Sequence, residues 1–374
     1  MYFPIDEYER RIAAVRAEMA RRGLDLLLQF GQEAVCWTSG FYTPGYFAYA
    51  ALGIPLSGEP FLVLRSMETP AASSTSWISD LHCYRDDEDP IALTRKVVEG
   101  RGFSRARIGV DKHSWYLTAE RYEQLLAALP DTTIVHDQRL VDGLRVRKSP
   151  LEIATLRDAA RIVEAGLQAA IDATHEGATE REIAAAMAYA RLKAGSDLPV
   201  DGVLTTGERT LQSHGPWTDR KVRPGDQLYY EFHGIRNHYW ARMLRSGVLG
   251  EPTKEQVRTA EVLLAAQQAG FDAIRPGVSA REIDALCRAP LIEAGLKDRA
   301  TYTNRVGYAL GLNFRPSPGE FFREFTPTAD FTLEDGMVFH MIQSANGLGF
   351  SDTIAVTADG CDFITRYPRK LFAV

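Results

Sequence analysis

The sequence predicts an α+β fold in two parts: an amino-terminal α/β domain over residues 1–145 and a larger pseudo-symmetric domain over residues 146–374. Short apolar strands alternate with helices in the first part. A long helical pattern then begins at Ser149, where Pro150 and Glu152 complete a helix start. Finally, residues 164–187 and 268–287 repeat one pattern of helix, Gly turn, Ser or Thr cap and second helix.

The amino-terminal elements follow from apolar patterns and turn residues. We expect Asp6 to cap a helix that runs to about Arg22, with Gly23 ending it. Buried strands and one further helix follow. The strands are expected in "LDLLLQF", "IPLSGEPFLVL", "ARIGVD" and "TTIVHD", and the helix in "TAERYEQLLAAL".

Composition narrows the classes of function. The 374 residues are 45% hydrophobic and 25% charged, which is typical of a globular protein with an ample core. The formal charge is −6 and no basic run occurs, so nucleic acid and membrane are unsuitable partners. The amino terminus lacks the apolar segment of a signal peptide. The four cysteines are scattered, which indicates a reducing cytoplasm and disfavours a zinc site built on them.

One predicted strand pair, "GDQLYYEFHGIRNHYWARMLRSG" at residues 225–247, combines apolar residues with reactive groups. Glu231 lies in the first strand and Arg242 in the return strand. His233 and His238 are expected in the turn, where histidines commonly serve solubility alone. A carboxylate beside a guanidinium is either a structural ion pair or part of a functional cleft. The residues alone leave both readings open.

Five segments resemble, in order, those of the pita-bread superfamily, which contains creatinase, prolidases, Xaa-Pro aminopeptidases and methionine aminopeptidases. They are "RKSPLEIATLRDAARI", "RPGDQLYYEF", "GYALGL", "LEDGMVFHM" and "SDTIAVTADGCD". The resemblance covers nearly the whole chain, since residues 1–145 resemble the amino-terminal domain of creatinase and prolidase. It implies a pita-bread catalytic domain over residues 146–374 and a homodimer.

The metallopeptidases of this superfamily hold two metal ions with two Asp, one His and two Glu. By resemblance, the corresponding residues of this chain are Glu231, Arg242, Tyr308, Ile342 and Ser351. A hard divalent ion needs several anionic oxygens, and a borderline ion also takes imidazole or thiolate. One carboxylate facing a guanidinium does not supply them. We therefore expect neither a metal ion nor another cofactor.

Creatinase and the ectoine hydrolases also lack most of this ligand set, and they hydrolyse small C–N-bonded compounds. The resemblance to this branch implies a metal-independent hydrolase of an ectoine-, creatine- or modified amino-acid-like compound. Glu231 would activate water or attack the electrophilic carbon. His214 coincides with the catalytic histidine of creatinase, and His340 lies near a former Glu ligand. A loop histidine bonded to backbone and a satisfied core histidine are the structural alternatives for these two.

Six side chains are candidates for binding the substrate. A guanidinium can bind a substrate carboxylate bidentately, a phenol can donate to a carbonyl or carboxylate, and an indole can form an apolar wall. The resemblance also implies that the amino-terminal domain reaches the partner's active site. The candidates are Arg242, Arg315, Tyr308 and Trp240 in the larger domain, and Arg65 and Tyr46 in the amino-terminal domain.

Three other functions stay open. The chain could be a metal-dependent Xaa-Pro aminopeptidase or dipeptidase, a catalytically inactive pseudopeptidase that binds a ligand, or a lyase that uses Glu231 as its base. The Gly-rich segments lack the strand–loop–helix context of a phosphate-binding loop. No nucleophilic Ser or Cys motif is present in the sequence.

Overall fold

The computed structural model of the chain describes residues 1–199, 202–212 and 214–374. These residues form two compact units, Met1–Arg145 and Val146–Val374.

The amino-terminal unit is built on a six-stranded mixed sheet with the strand order β4-β3-β2-β1-β5-β6. The neighbouring strands β1, β5 and β6 run parallel. Apolar residues of α4 and α5 pack with those of the strands in one core cluster. The strands are β1 (Leu26–Gln29), β2 (Ala51–Pro55), β3 (Phe61–Arg65), β4 (Leu81–Tyr84), β5 (Arg107–Val110) and β6 (Thr133–His136). The helices are α1 (Ile5–Arg22), α2 (Gln32–Ser39), α3 (Thr69–Thr75), α4 (Pro90–Gly100), α5 (Ala119–Ala128) and α6 (Leu140–Arg145).

The first helix corrects one detail of the sequence reading. It begins at Ile5 with Pro4 as its N-cap residue and has no side-chain cap. The prediction that Asp6 caps the helix is therefore wrong. The φ of Pro4 is −60°, which suits the start of a helix, and Asp6 lies in the first turn, where a negative charge is favourable. Gly23 ends the helix as expected, with a φ of 63°.

The carboxy-terminal unit contains a nine-stranded sheet and four long helices. Its helices are α7 (Pro150–Asp172), α8 (Glu180–Lys193), α9 (Lys254–Ala273) and α10 (Ala280–Glu293). Its strands are β7 (Gly202–Thr206), β8 (Gln227–Arg236), β9 (Tyr239–Val248), β10 (Gly307–Ala309), β11 (Glu320–Phe325), β12 (Val338–Ala345), β13 (Leu348–Thr357), β14 (Gly360–Phe363) and β15 (Phe372–Ala373).

The strand order shows how the two similar halves combine. The order is β11-β10-β12-β13-β9-β8-β7, with β14 beside β13 and β15 beside β9. The helix pair α7–α8 precedes β7, β8 and β9, and the pair α9–α10 precedes β10, β12 and β13. The two halves meet where β9 contacts β13, at Leu244 and Ser351. This arrangement agrees with the repeat seen in the sequence.

The strands β8 and β9 are covered on both faces, because nearly all of their residues are buried. The helix α7 packs closely on one face. A Cβ atom at Gly234 would lie 1.8 Å from the carbonyl oxygen of Ala159 in this helix, so only glycine permits the contact. Among the residues described, no helix is long and apolar enough to span a membrane.

Candidate active site

A cavity of about 800 Å³ lies on the other face of the large sheet, within the carboxy-terminal unit. Its lining includes side chains from β8, β9, β10 and β12, together with residues that precede β10 and lie in β11. Charged and aromatic groups dominate this lining. They include Tyr229, Glu231, Arg242, Tyr308, Arg305 and Phe321.

The pairing of β8 with β9 explains why Glu231 and Arg242 meet. Glu231 lies opposite Leu244, and His233 lies opposite Arg242. Because side chains alternate between the faces of a strand, Tyr229, Glu231 and His233 share one face of β8. The residue Arg242 is thus a diagonal neighbour of Glu231, at a distance that a long side chain spans.

A network of charged hydrogen bonds joins these strands. The Nη2 atom of Arg242 lies 2.6 Å from Oε1 of Glu231, and its Nη1 donates to the hydroxyl of Tyr308. The hydroxyl of Tyr229 is also hydrogen-bonded to Glu231. Burial, and then the negative charge of Glu231, raises the pKa of Tyr229 well above its ordinary value. The Tyr229 phenol therefore stays protonated and donates to the carboxylate.

Arg242 keeps one donor unused within the described structure. Its Nε is buried and makes no hydrogen bond to any described residue. Burial lowers the pKa of Arg242, but attraction to Glu231 outweighs this, so the net change is upward. A permanent cation with a spare buried donor facing a cavity is suited to bind an anionic or carbonyl oxygen.

His340 also lies in the lining, on β12. Its Nε2 is 2.6 Å from the hydroxyl of Ser351, and its ring meets the Tyr308 ring edge-on at 5.1 Å. The Nδ1 atom is buried without a hydrogen-bond partner among the residues described. Burial, and then the charge of Arg242, lowers the pKa of His340 well below its ordinary value. The imidazole is therefore neutral at physiological pH and supplies a hydrogen bond rather than a charged acid.

The cavity mouth contains groups that the sequence reading missed. Arg305 forms an ion pair with Glu324, and its guanidinium lies 4.6 Å from the centre of the Phe321 ring. These residues lie on separate elements and carry no shared local motif. Tyr229 could have been found, because it stands two residues before Glu231 on the same face of a strand. His214 also lines the cavity and is exposed.

The two histidines assigned to the turn differ from expectation. His233 lies within β8, is buried and lines the cavity, so its placement in the turn is wrong. The turn is confined to Asn237 and His238, both with positive φ. His238 is nevertheless buried, and its ring stacks on Phe314 at 4.4 Å. Its burial lowers its pKa to about 4.

The remaining candidates lie at different distances from the chemistry. Trp240 is buried beside His233, with ring centres 5.0 Å apart, and its indole N–H donates to the Asn313 carbonyl. Arg315 is exposed and does not belong to the cavity lining. In the amino-terminal unit, Arg65 is paired with Asp86 at 2.6 Å, and Tyr46 meets Tyr116 edge-on.

The side chains at the metal-ligand positions do not fit two metal ions. Glu231, Arg242, Tyr308 and Ile342 line the cavity, and Ser351 contacts His340 beside them. The carboxylate of Glu231 is already paired with a guanidinium. Among the described residues of the cavity, no three His, Cys, Asp or Glu ligand atoms lie within 4.8 Å of one another. We therefore route no chemical step through a metal ion in this cavity.

The family comparison explains why these positions correspond. Residues 154–358 match metallopeptidase family M24, and residues 11–147 match the Creatinase/Prolidase N-terminal domain. The chain belongs to metallopeptidase family M24. The predicted membership of the creatinase and Xaa-Pro peptidase superfamily is thereby confirmed, and the protein is a hydrolase of this family.

Several relatives are similar over their whole length. The ectoine hydrolase of Halomonas elongata is 28% identical, covering 99% of this chain and 98% of the relative. The putative dipeptidase YkvY of Bacillus subtilis is 27% identical, with 96% and 99% covered. The crystal structure of dipeptidase PepE from Mycobacterium ulcerans superposes with a TM-score of 0.86 at 25% identity, covering 100% of this chain and 99% of that one. The predicted creatinase-like and pita-bread architecture is confirmed.

Proposed function

We propose that this M24 protein hydrolyses a C–N bond in a small nitrogen-containing compound without a metal ion, with Glu231 as the reacting carboxylate. One observation carries the proposal: Arg242 occupies a metal-ligand position and binds Glu231 at 2.6 Å, so a protein cation replaces the inorganic ones. The pair faces a cavity lined with further hydrogen-bonding groups.

Glu231 can begin the reaction in two ways. As a general base, it takes a proton from water while the water oxygen attacks the electrophilic carbon. As a nucleophile, its oxygen bonds to that carbon, and water later cleaves the covalent intermediate. In both cases the C–N bond breaks and the leaving nitrogen takes up a proton. The Arg242 guanidinium and the Tyr229 hydroxyl hold the carboxylate in one orientation for either step.

The proton for the leaving nitrogen needs a separate donor. His340 is neutral, so we assign it a hydrogen bond to the substrate through Nδ1. Tyr308 keeps its phenolic proton, because burial raises its pKa more than Arg242 lowers it. His214, at the exposed edge of the cavity, is the second candidate for proton transfer.

The charges favour a small substrate that carries an acceptor oxygen. The unused Nε of Arg242 suits a carboxylate or carbonyl group. The ectoine hydrolase among the relatives supports a compatible solute or a modified amino acid as the substrate class. A creatine-like guanidino acid fits the same groups.

A metal-dependent Xaa-Pro aminopeptidase or dipeptidase is the second candidate function. The relatives named as dipeptidases favour it, at a similar level of identity. The ligand set opposes it, because Arg242, Tyr308 and Ile342 offer no anionic oxygen or imidazole to a divalent ion.

A catalytically inactive binding module is the third candidate. The ion pair between Glu231 and Arg242 favours it, since each charge already has a partner. In that case ligand would bind while no compound is turned over.

We further propose a cytoplasmic homodimer in which Arg65 and Tyr46 reach the partner's active site. The match of residues 11–147 to the Creatinase/Prolidase N-terminal domain supports the arrangement. The four cysteines are free, which suits a reducing compartment.

Turnover after exhaustive chelation tests the proposal. The full chain, dialysed against a chelator, is incubated with ectoine, guanidino acids and Xaa-Pro dipeptides, and products are followed by mass spectrometry. We expect hydrolysis of a non-peptide C–N bond that added Mn²⁺, Co²⁺ or Zn²⁺ does not increase. Xaa-Pro cleavage that appears only with added metal would establish the peptidase instead, and binding without turnover would establish the binding module.

A further inference from the structure

We propose a divalent transition-metal site, suited to Zn²⁺, in the amino-terminal unit, formed by His113, His136 and Asp137. His136 ends β6 and Asp137 follows it, while His113 lies three residues after the end of β5. These strands are parallel neighbours, with Val110 opposite His136. The carboxyl ends of parallel strands commonly hold ligands, because side chains from adjacent strands converge there.

The spacing of the three side chains approaches that of a coordinated ion. One ligand atom from each residue lies within 4.8 Å of the others. Oδ1 of Asp137 is 3.8 Å from Nδ1 of His113 and 3.7 Å from Nδ1 of His136. Around tetrahedral zinc, with bonds of about 2.0–2.1 Å, ligand atoms are about 3.4 Å apart. A small inward movement of the side chains would complete the site.

The surrounding hydrogen bonds aim the ligand atoms inward. Nε2 of His113 contacts Asp142 at 2.9 Å, while Nδ1 is buried and makes no hydrogen bond to any described residue. A carboxylate bound to the outer nitrogen of a histidine is the usual way to orient a metal-ligating ring. Asp137 accepts hydrogen bonds from the Gln29 amide and from the Arg139 backbone N–H, both at 3.0 Å. Its carboxylate is thus held in place as well.

The charges nearby favour a cation. Asp111, Asp137 and Asp142 are all buried. Burial, and then repulsion by Asp137, raises the pKa of Asp111 well above its ordinary value. Asp142 is compensated by Arg139 and Arg145, but neither arginine pairs with Asp137 in the described ion pairs. A divalent ion beside Asp137 would lower the excess of negative charge.

His136 is prepared for coordination at the cost of one hydrogen bond. Burial lowers the pKa of His136, which favours the neutral ring that a metal requires. Its Nδ1 accepts a hydrogen bond from the Gln138 backbone N–H at 2.6 Å. Metal binding replaces this hydrogen bond with a coordination bond. With three protein ligands, the fourth tetrahedral position is left for water, since the His136 side chain is 38% exposed.

A purely ionic network is the competing explanation. A protonated His113 could bridge Asp137 and Asp142 without any metal. That network predicts no bound ion and no effect of Zn²⁺ on the unit, which makes the two explanations separable.

Zinc titration of the chelator-treated full chain tests the site. Isothermal titration calorimetry and elemental analysis at pH 7.5 should show one equivalent of Zn²⁺ per chain. We expect His113→Ala and His136→Ala each to weaken binding at least 100-fold. His82→Ala is the matched control, because His82 in the same unit contacts one carboxylate, Asp80 at 3.1 Å, yet belongs to no three-ligand group among the described residues. It should bind zinc like the unaltered chain.

Two further variants separate this site from other causes. His136→Ala removes a half-exposed ring, so loss of binding there does not report misfolding. Asp142→Asn should keep one equivalent and weaken binding about 10- to 100-fold, as expected for an outer partner of a metal ligand. Glu231→Gln should leave zinc binding unchanged, which separates this site from the proposed reaction. Absence of zinc binding, unaltered affinity in both histidine variants, or zinc that is lost with Glu231 would overturn the inference.

Discussion

Two arginines on β9 form buried ion pairs that differ in one respect. Arg245 is fully buried, contacts Asp352 at 2.7 Å and donates to four backbone carbonyl groups, so each of its nitrogens has an acceptor. Arg242 contacts Glu231 at 2.6 Å but leaves its Nε without a partner in the described structure, and it faces a cavity. A fully satisfied pair fixes a conformation. A pair with a spare donor can also bind a ligand.

The largest effect that separates the two pairs is expected at Glu231. Glu231→Gln should lower kcat about 10⁴-fold, the upper end of what a positioned acid or base contributes, and by more if Glu231 attacks carbon directly. The amide cannot take a proton from water, yet it still fills the same space, so ligand binding should persist. Steady-state kinetics and calorimetry on the compound that is turned over measure both quantities.

Glu324→Gln is the matched control, because Glu324 is also a carboxylate of this cavity paired with an arginine. We expect a much smaller loss of kcat there. Retained turnover in Glu231→Gln would remove Glu231 from the mechanism and place its pair in the same class as that of Arg245.

The second effect is on stability and is expected at Arg245. Arg245→Met leaves Asp352 buried without its closest cation and strands several carbonyl groups, so the free energy of unfolding should fall by about 3–5 kcal/mol. Denaturant unfolding measures this change. Arg157→Met, which breaks a partly exposed pair with Asp362, should cost only about 0–1 kcal/mol. Equal losses in the two variants would mean that burial of the Arg245 pair has no special weight.

The contrast between the two pairs also shows what the sequence can predict. Glu231 and Arg242 were predictable as a pair, because two antiparallel strands with a tight turn bring them to diagonal positions. The position of His233 was not, because Gly234 and Asn237 both resemble turn residues and only packing against α7 shows why Gly234 is needed inside a strand. Tertiary contact, rather than a local signal, decided that region.

The satisfaction of each arginine could not be read from the sequence either. The carbonyl groups that Arg245 binds belong to β9 itself, to β13 and to the segment at Tyr367 and Pro368, which are distant in the chain. Likewise, Arg305, Phe321 and Glu324 join the cavity from separate elements. Long-range placement of this kind has no periodic signature, whereas the two-part α+β architecture does.

A third and smaller effect concerns recognition by Arg242. Arg242→Met should weaken binding of a carboxylate-bearing ligand about 10- to 100-fold, the loss expected for a charged hydrogen bond. The paired variant Arg242→Met with Glu231→Met removes both charges together, so it should stay folded, since apolar replacement of a buried pair is often neutral. Normal ligand binding in that double variant would mean that Arg242 only neutralises Glu231. Calorimetry with the ligand, alongside circular dichroism, measures both properties.

The smallest effect is electrostatic and is read at His340. Burial and then the charge of Arg242 keep the pKa of His340 well below its ordinary value, so its ring should show no titration between pH 5 and 8. Removing the Arg242 charge eliminates one of these two causes, and the pKa of His340 should rise while burial still holds it below that of an exposed histidine. In NMR titrations of the ring proton, Arg242→Met should therefore move the signal toward earlier protonation as the pH falls. Arg245→Met should not do so, because the Arg245 charge is compensated by Asp352 and is not among the causes that lower the His340 pKa. An equal shift in both variants would show that general loosening of the sheet, rather than the uncompensated field of Arg242, controls the state of His340.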